Sequence, residues 1–83
     1  MILEICRSKC ITNDKEGFVE TVTEFYNGNS FKETNGSVTI DNKETVIITD
    51  YEQLEEMTGN FIKYETIYAF IMNNEGKTIE RLI

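Results

Sequence analysis

The sequence predicts an α+β fold: an antiparallel β-sheet of about five strands carrying one main helix and one short helix. Three observations predict it. Asn35-Gly36 is the favoured dipeptide of a two-residue hairpin turn. Phe18, Val22 and Phe25 recur at i, i+4 and i+7, the spacing of an amphipathic helical stripe. Asn73-Asn74-Glu75-Gly76 separates two runs rich in β-branched residues, the pattern of a second hairpin. At 83 residues the chain (1–83) has room for one domain.

Residues 1–6 alternate aliphatic side chains with Glu4 and read as a first strand. Thr12, Asn13 and Asp14 then offer N-caps for a helix over 14–27 that stops at Asn27-Gly28. The competing reading is a strand, because Val19, Thr21, Val22 and Thr23 are β-branched. Around Asn35-Gly36 the hairpin pairs Phe31 with Ile40 and Glu33 with Val38, with positive φ at both turn residues. A turn at Asp41-Asn42-Lys43 leads into residues 44–49, apolar on both faces and therefore expected at a central position. Thr49-Asp50-Tyr51-Glu52 has the form of a capping box opening a short helix over 50–58. The long hairpin of 61–72 with 77–83 closes the chain. Phe18, Val22, Phe25, Ile40, Ile48, Leu54, Phe70 and Ile79 form the expected core.

Composition excludes several chemistries. There is no His, so neither an imidazole base nor a Cys-His pair exists, and Cys6 and Cys10 have no activator. On an extended strand those two cysteines lie roughly 13 Å apart, beyond disulfide reach. They are expected to be reduced thiols, at least one of them buried. No glycine-rich phosphate loop, calcium loop or metal-ligand spacing is present. The sequence therefore points to a protein that is not an enzyme, with no cofactor and no metal. The net charge of −7 argues against direct nucleic-acid binding. No run approaches a membrane span, and Glu4, Arg7 and Lys9 interrupt any secretory signal, so a cytoplasmic location is expected.

The acids are grouped. On a helix over 14–27, Glu16, Glu20 and Glu24 would form one ridge, about 6 Å between neighbours. A second group is Asp50, Glu52, Glu55 and Glu56, with Tyr51 among them as a candidate interface anchor. Between Glu44 and Glu65 six acids face Lys63 alone. A charge run is ordinarily a solvated face that keeps a protein soluble. Rows of carboxylates on a rigid scaffold can also imitate nucleic-acid phosphates.

Glu44-Thr45-Val46-Ile47-Ile48-Thr49-Asp50, then Ala69-Phe70-Ile71-Met72-Asn73-Asn74-Glu75-Gly76-Lys77 and the closing strand to Ile83, resemble the phage-encoded uracil-DNA glycosylase inhibitors. The resemblance covers about half of the chain. It implies a small acidic α/β protein that mimics DNA in an enzyme's groove. Residues 2–8 read Ile-Leu-Glu-Ile-Cys-Arg-Ser and lack that family's Glu-Ser-Ile recognition strand, so no residue role is carried over. The wider class of small acidic phage inhibitors includes anti-CRISPR proteins.

The leading expectation is a phage or mobile-element inhibitor acting in the host cell cytosol. It would occupy the basic surface of a nucleic-acid-acting host enzyme through Glu16, Glu20, Glu24, Asp50, Tyr51, Glu52, Glu55 and Glu56. The alternative is a non-catalytic assembly or immunity module that binds through an exposed sheet edge or apolar face, including homo-oligomerisation.

Overall fold

A computed structural model describes residues 1–11 and 19–83. Its described residues contain eight strands and no helix: β1 (Ile2–Ile11), β2 (Val19–Asn27), β3 (Phe31–Thr34), β4 (Ser37–Ile40), β5 (Glu44–Ile47), β6 (Tyr51–Glu55), β7 (Asn60–Met72) and β8 (Thr78–Arg81). They form two antiparallel sheets. The larger runs β2-β1-β7-β6 with β8 also on β7, and the smaller runs β3-β4-β5.

The α+β expectation is therefore corrected to all-β. Residues 19–27 of the expected main helix pair with β1 in an unbroken register from Ile2↔Asn27 to Cys10↔Val19. Their β-branched side chains suit a pleated surface, and ladder bonds to β1 outweigh a helical spacing of only three residues. The expected short helix is a strand followed by a turn: Tyr51–Glu55 pairs with Asn60–Tyr64. Asp50 donates no helix cap there; its Oδ1 accepts the Thr66 N–H at 2.8 Å.

The hairpins follow local turn chemistry. Phe31 pairs with Ile40 and Glu33 with Val38, and φ is 49° at Asn35 and 82° at Gly36. Asp41 (51°) and Asn42 (57°) make the next turn in the same way, closed by the Lys43 N–H to the Ile40 carbonyl at 3.0 Å. Asp41 also accepts the Asn29 and Ser30 N–H groups, both at 2.9 Å, and so anchors the link from β2 to β3. The terminal hairpin forms, with Phe70 opposite Arg81. β5 departs from its expected central position: among the described strands it pairs only with β4, and Ile47 is exposed.

The core lies between the sheets. Leu3, Ile5, Ala69 and Ile71 from the larger sheet meet Val38, Ile40, Val46 and Ile48 from the smaller one. Ile40 and Ile48 are buried as expected, whereas Phe25, Leu54 and Ile79 are exposed, and Phe70 and Val22 are half-buried. Phe18 lies outside the described residues. Parity explains the difference at Phe25 and Phe70: each is level with Glu4 on β1, on the sheet face turned away from the smaller sheet. Cys6 is buried, Cys10 half-buried, and both thiols are free. Among the described residues no helix is long and apolar enough to cross a membrane.

Candidate functional site

The site grows from one residue that breaks the alternation of β1. Leu3, Ile5 and Arg7 share the inward face, so the third inward position of the strand carries a charge. Arg7 is 1% exposed, the one buried charged residue among those described. An unpaired guanidinium there would be very costly, and every side of this one is engaged. Its Nε donates to Glu24 Oε2 at 2.5 Å across the β1–β2 pair. Nη1 donates to Thr66 Oγ1 at 3.1 Å and to the Thr49 carbonyl at 3.4 Å, and Nη2 donates to the Ile47 carbonyl. The guanidinium carbon sits 5.1 Å from the centre of the Tyr51 ring, which itself stacks on Tyr64 at 4.7 Å.

A β-bulge makes this possible. Cys6 pairs with Tyr68 but Arg7 with Thr66, so Ile67 is an extra residue in β7. With uninterrupted pairing, Ile67 would follow Ala69 and Ile71 onto the inward face. The bulge turns Ile67 outward, where it is exposed, and brings the Thr66 hydroxyl to Arg7.

Above Arg7, between β2, β5 and β6, lies an open recess of about 430 Å³ lined by Arg7, Glu24, Tyr26, Glu44, Tyr51 and Glu52 among others. Glu24 is held on both oxygens, because Tyr26 donates its hydroxyl to Oε1 at 2.7 Å. Burial first, then this bond to Glu24, pushes the Tyr26 phenol well above its ordinary value. Burial also raises the Tyr51 phenol, with Arg7 acting in opposition. Both rings therefore remain neutral hydrogen-bonding walls at neutral pH. Glu44 and Glu52 are exposed and give the rim its negative charge.

The recess joins one member of each acidic group, Glu24 and Glu52, with Tyr51. The other expected residues are placed apart. A strand spaces Glu20 and Glu24 by roughly 13 Å, so no carboxylate ridge exists on β2. Glu16 lies outside the described residues. Asp50 is tied to the Thr66 backbone. Glu55 shares the face of Tyr51 but lies four residues further along β6, outside the recess lining, and Glu56 is in the turn. Arg7 was missing from the expected site; its signal was an arginine that follows Leu3 and Ile5 at the same alternation in β1. Among the described residues no group of three or more acids or cysteines is arranged to hold a metal ion. Comparison with known proteins finds no family model, curated protein or solved structure that matches this chain.

Proposed function

We propose that this protein is a non-catalytic inhibitor that seats its acidic surface on the basic, nucleic-acid-binding surface of a host enzyme, in the manner of small phage-encoded DNA mimics. The observation that carries this reading is the sorting of charge. The chain has a net charge of −7, yet Arg7 is sealed inside against Glu24, while Glu44 and Glu52 rim an open recess and Glu55 and Glu56 follow them along β6 and its turn. Such a surface repels nucleic acid and accelerates encounter with a basic groove. Tyr26 and Tyr51 supply the flat, low-entropy contact area that interfaces favour. The contact surface in this reading is the β5–β6 end of the molecule rather than two parallel ridges.

The test is affinity capture from lysate followed by elution with rising salt, then binding measurements on the captured enzyme. The Glu44→Gln/Glu52→Gln/Glu56→Gln variant keeps the fold, since exposed substitutions change stability by less than about 0.5 kcal/mol. Its association with the enzyme is expected to slow and its salt dependence to flatten, and the wild-type protein is expected to compete with nucleic acid for the enzyme. Capture that ignores salt, or a variant with unchanged affinity and salt slope, overturns the reading.

A further inference from the structure

The larger sheet ends on β2, and among the described residues no strand pairs with its outer side. The other edges are short: β6 has five residues, and β3, β5 and β8 have four each. β2 has nine. Soluble proteins ordinarily guard a long edge with Lys, Pro, a bulge or a cover. The β2 sequence Val-Glu-Thr-Val-Thr-Glu-Phe-Tyr-Asn has no Lys, Arg, Pro or Gly, and its register on β1 contains no bulge. Of its two charges, Glu24 is turned inward and neutralised by Arg7. Val19 and Phe25, each 60% exposed, flank the middle of the strand with apolar surface.

We propose that β2 is a homodimerisation edge, on which two copies pair antiparallel about a two-fold axis at Thr23 and continue one sheet through both molecules. The strand's own sequence selects this register. Side chains opposite one another must share a face, so a two-fold axis normal to the sheet passes through a residue that faces itself. Centred on Thr23, all nine residues find partners: Val19 with Asn27, Glu20 with Tyr26, Thr21 with Phe25, Val22 with Glu24, and Thr23 with Thr23. No carboxylate faces a carboxylate, and each Phe25 ring lies over a β-branched Thr21, a favourable cross-strand pair. Centring on Val22 sets Glu20 against Glu24, and centring on Glu24 sets that residue against itself; both are disfavoured. Centring on Thr21 or Phe25 leaves four of the nine residues unpaired.

Each copy carries a charge of −7, so the two repel through solvent and salt relieves the repulsion. The dimer is therefore expected to tighten with salt, opposite in sign to docking on a basic enzyme. The two proposals thus fail separately.

Sedimentation velocity of the full chain at about 0.1 M and about 1 M salt, where the Debye length falls from about 10 Å to about 3 Å, measures this directly. The expected result is a dimer that dissociates on dilution and is tighter at high salt. Thr23 is exposed, so Thr23→Lys and Thr23→Glu each place like charges face to face at the axis without touching the core. Each is expected to weaken the dimer about two- to fivefold, and an equimolar mixture of the two is expected to restore it as a heterodimer. Hydrogen exchange on the wild-type chain adds a readout free of substitutions: β2 amides gain protection as concentration rises, and β6 amides do not. A monomer at both salts, or β2 exchange independent of concentration, overturns the proposal. So does a mixture that stays monomeric although both variants keep the wild-type circular dichroism.

Discussion

Arg7 concentrates the energetics of the fold in one side chain. Removing it leaves the Glu24 carboxylate, the Thr66 hydroxyl and two backbone carbonyls without their donor. Breaking a fully buried ion pair costs about 3–5 kcal/mol, and Glu24 is 33% exposed, so water recovers part of that. Arg7→Leu is expected to cost about 2–3 kcal/mol in urea denaturation, and Glu24→Gln, which retains an acceptor oxygen, less. For a chain this size the whole stability is about 4–12 kcal/mol, so the arginine decides whether the molecule is robust or marginal. Tyr68 offers a second test at this scale. It donates to Glu4 Oε2 at 2.6 Å, and that bond, with burial second, lifts its phenol to about 12. The folded pKa lies above the ordinary 10 of an unfolded phenol. Its contribution is therefore complete below pH 10 and lost as pH rises through about 12. A spectrophotometric titration is expected to show delayed phenolate formation, and Tyr68→Phe is expected to remove the component near pH 12 while the raised Tyr26 and Tyr51 phenols remain.

At the scale of elements, turns and strands obey different authorities. The Asn35-Gly36 turn is dictated by the dipeptide, because only residues that tolerate positive φ can match the twist of a two-residue hairpin. Gly36 has φ of 82°, and a Cβ there would sit 2.6 Å from Thr49 Cγ2. Gly36→Val is expected to cost about 1–3 kcal/mol, measured by thermal or urea unfolding, from backbone strain and this clash together. Gly28 is constrained by space, since its Cβ would meet Ile40 Cγ2 at 2.6 Å beside the core. β2 obeys its neighbour instead. Phe18, Val22 and Phe25 fit a helical period, but Val22, Glu24 and Tyr26 equally fit a period of two, and a stretch this short satisfies both. The capping-box letters at Thr49–Glu52 were similarly ambiguous: the same threonine–acid spacing appears where β6 begins.

Across the whole molecule, the smaller sheet decides which face of the larger one is inside. It covers the face of Leu3, Ile5, Arg7, Ala69 and Ile71, and leaves Phe25 and Phe70 on the other. Two alanine substitutions separate the faces. Ile48→Ala, at a fully buried position, is expected to cost about 2–5 kcal/mol, whereas Phe25→Ala is expected to change monomer stability by about 0.5 kcal/mol or less. Equal losses at the two positions would mean that the outward face is covered as well. The distribution of charge is also a property of the whole molecule. The Arg7–Glu24 pair is neutral, so the remaining side chains keep the full −7, and the recess brings Glu24 beside Glu44 and Glu52, residues from three different strands.

Both hairpins, the partners of Phe31 and Glu33, the positive φ at residues 35 and 36, the free thiols and the acidic charge were legible in the residues alone. Each follows from interactions within a few residues or from counting. Tertiary structure decided the rest: that 19–27 is a strand, that 44–47 is an edge, and that Arg7 is buried beneath a recess. A strand's ladder bonds and inner face belong to whatever pairs with and covers it, and for 19–27 the pairing residues lie 9 to 25 positions away in β1. The β7 bulge shows the limit plainly, since one unpaired Ile67 exchanges which neighbour faces inward, and nothing within residues 60–72 announces it.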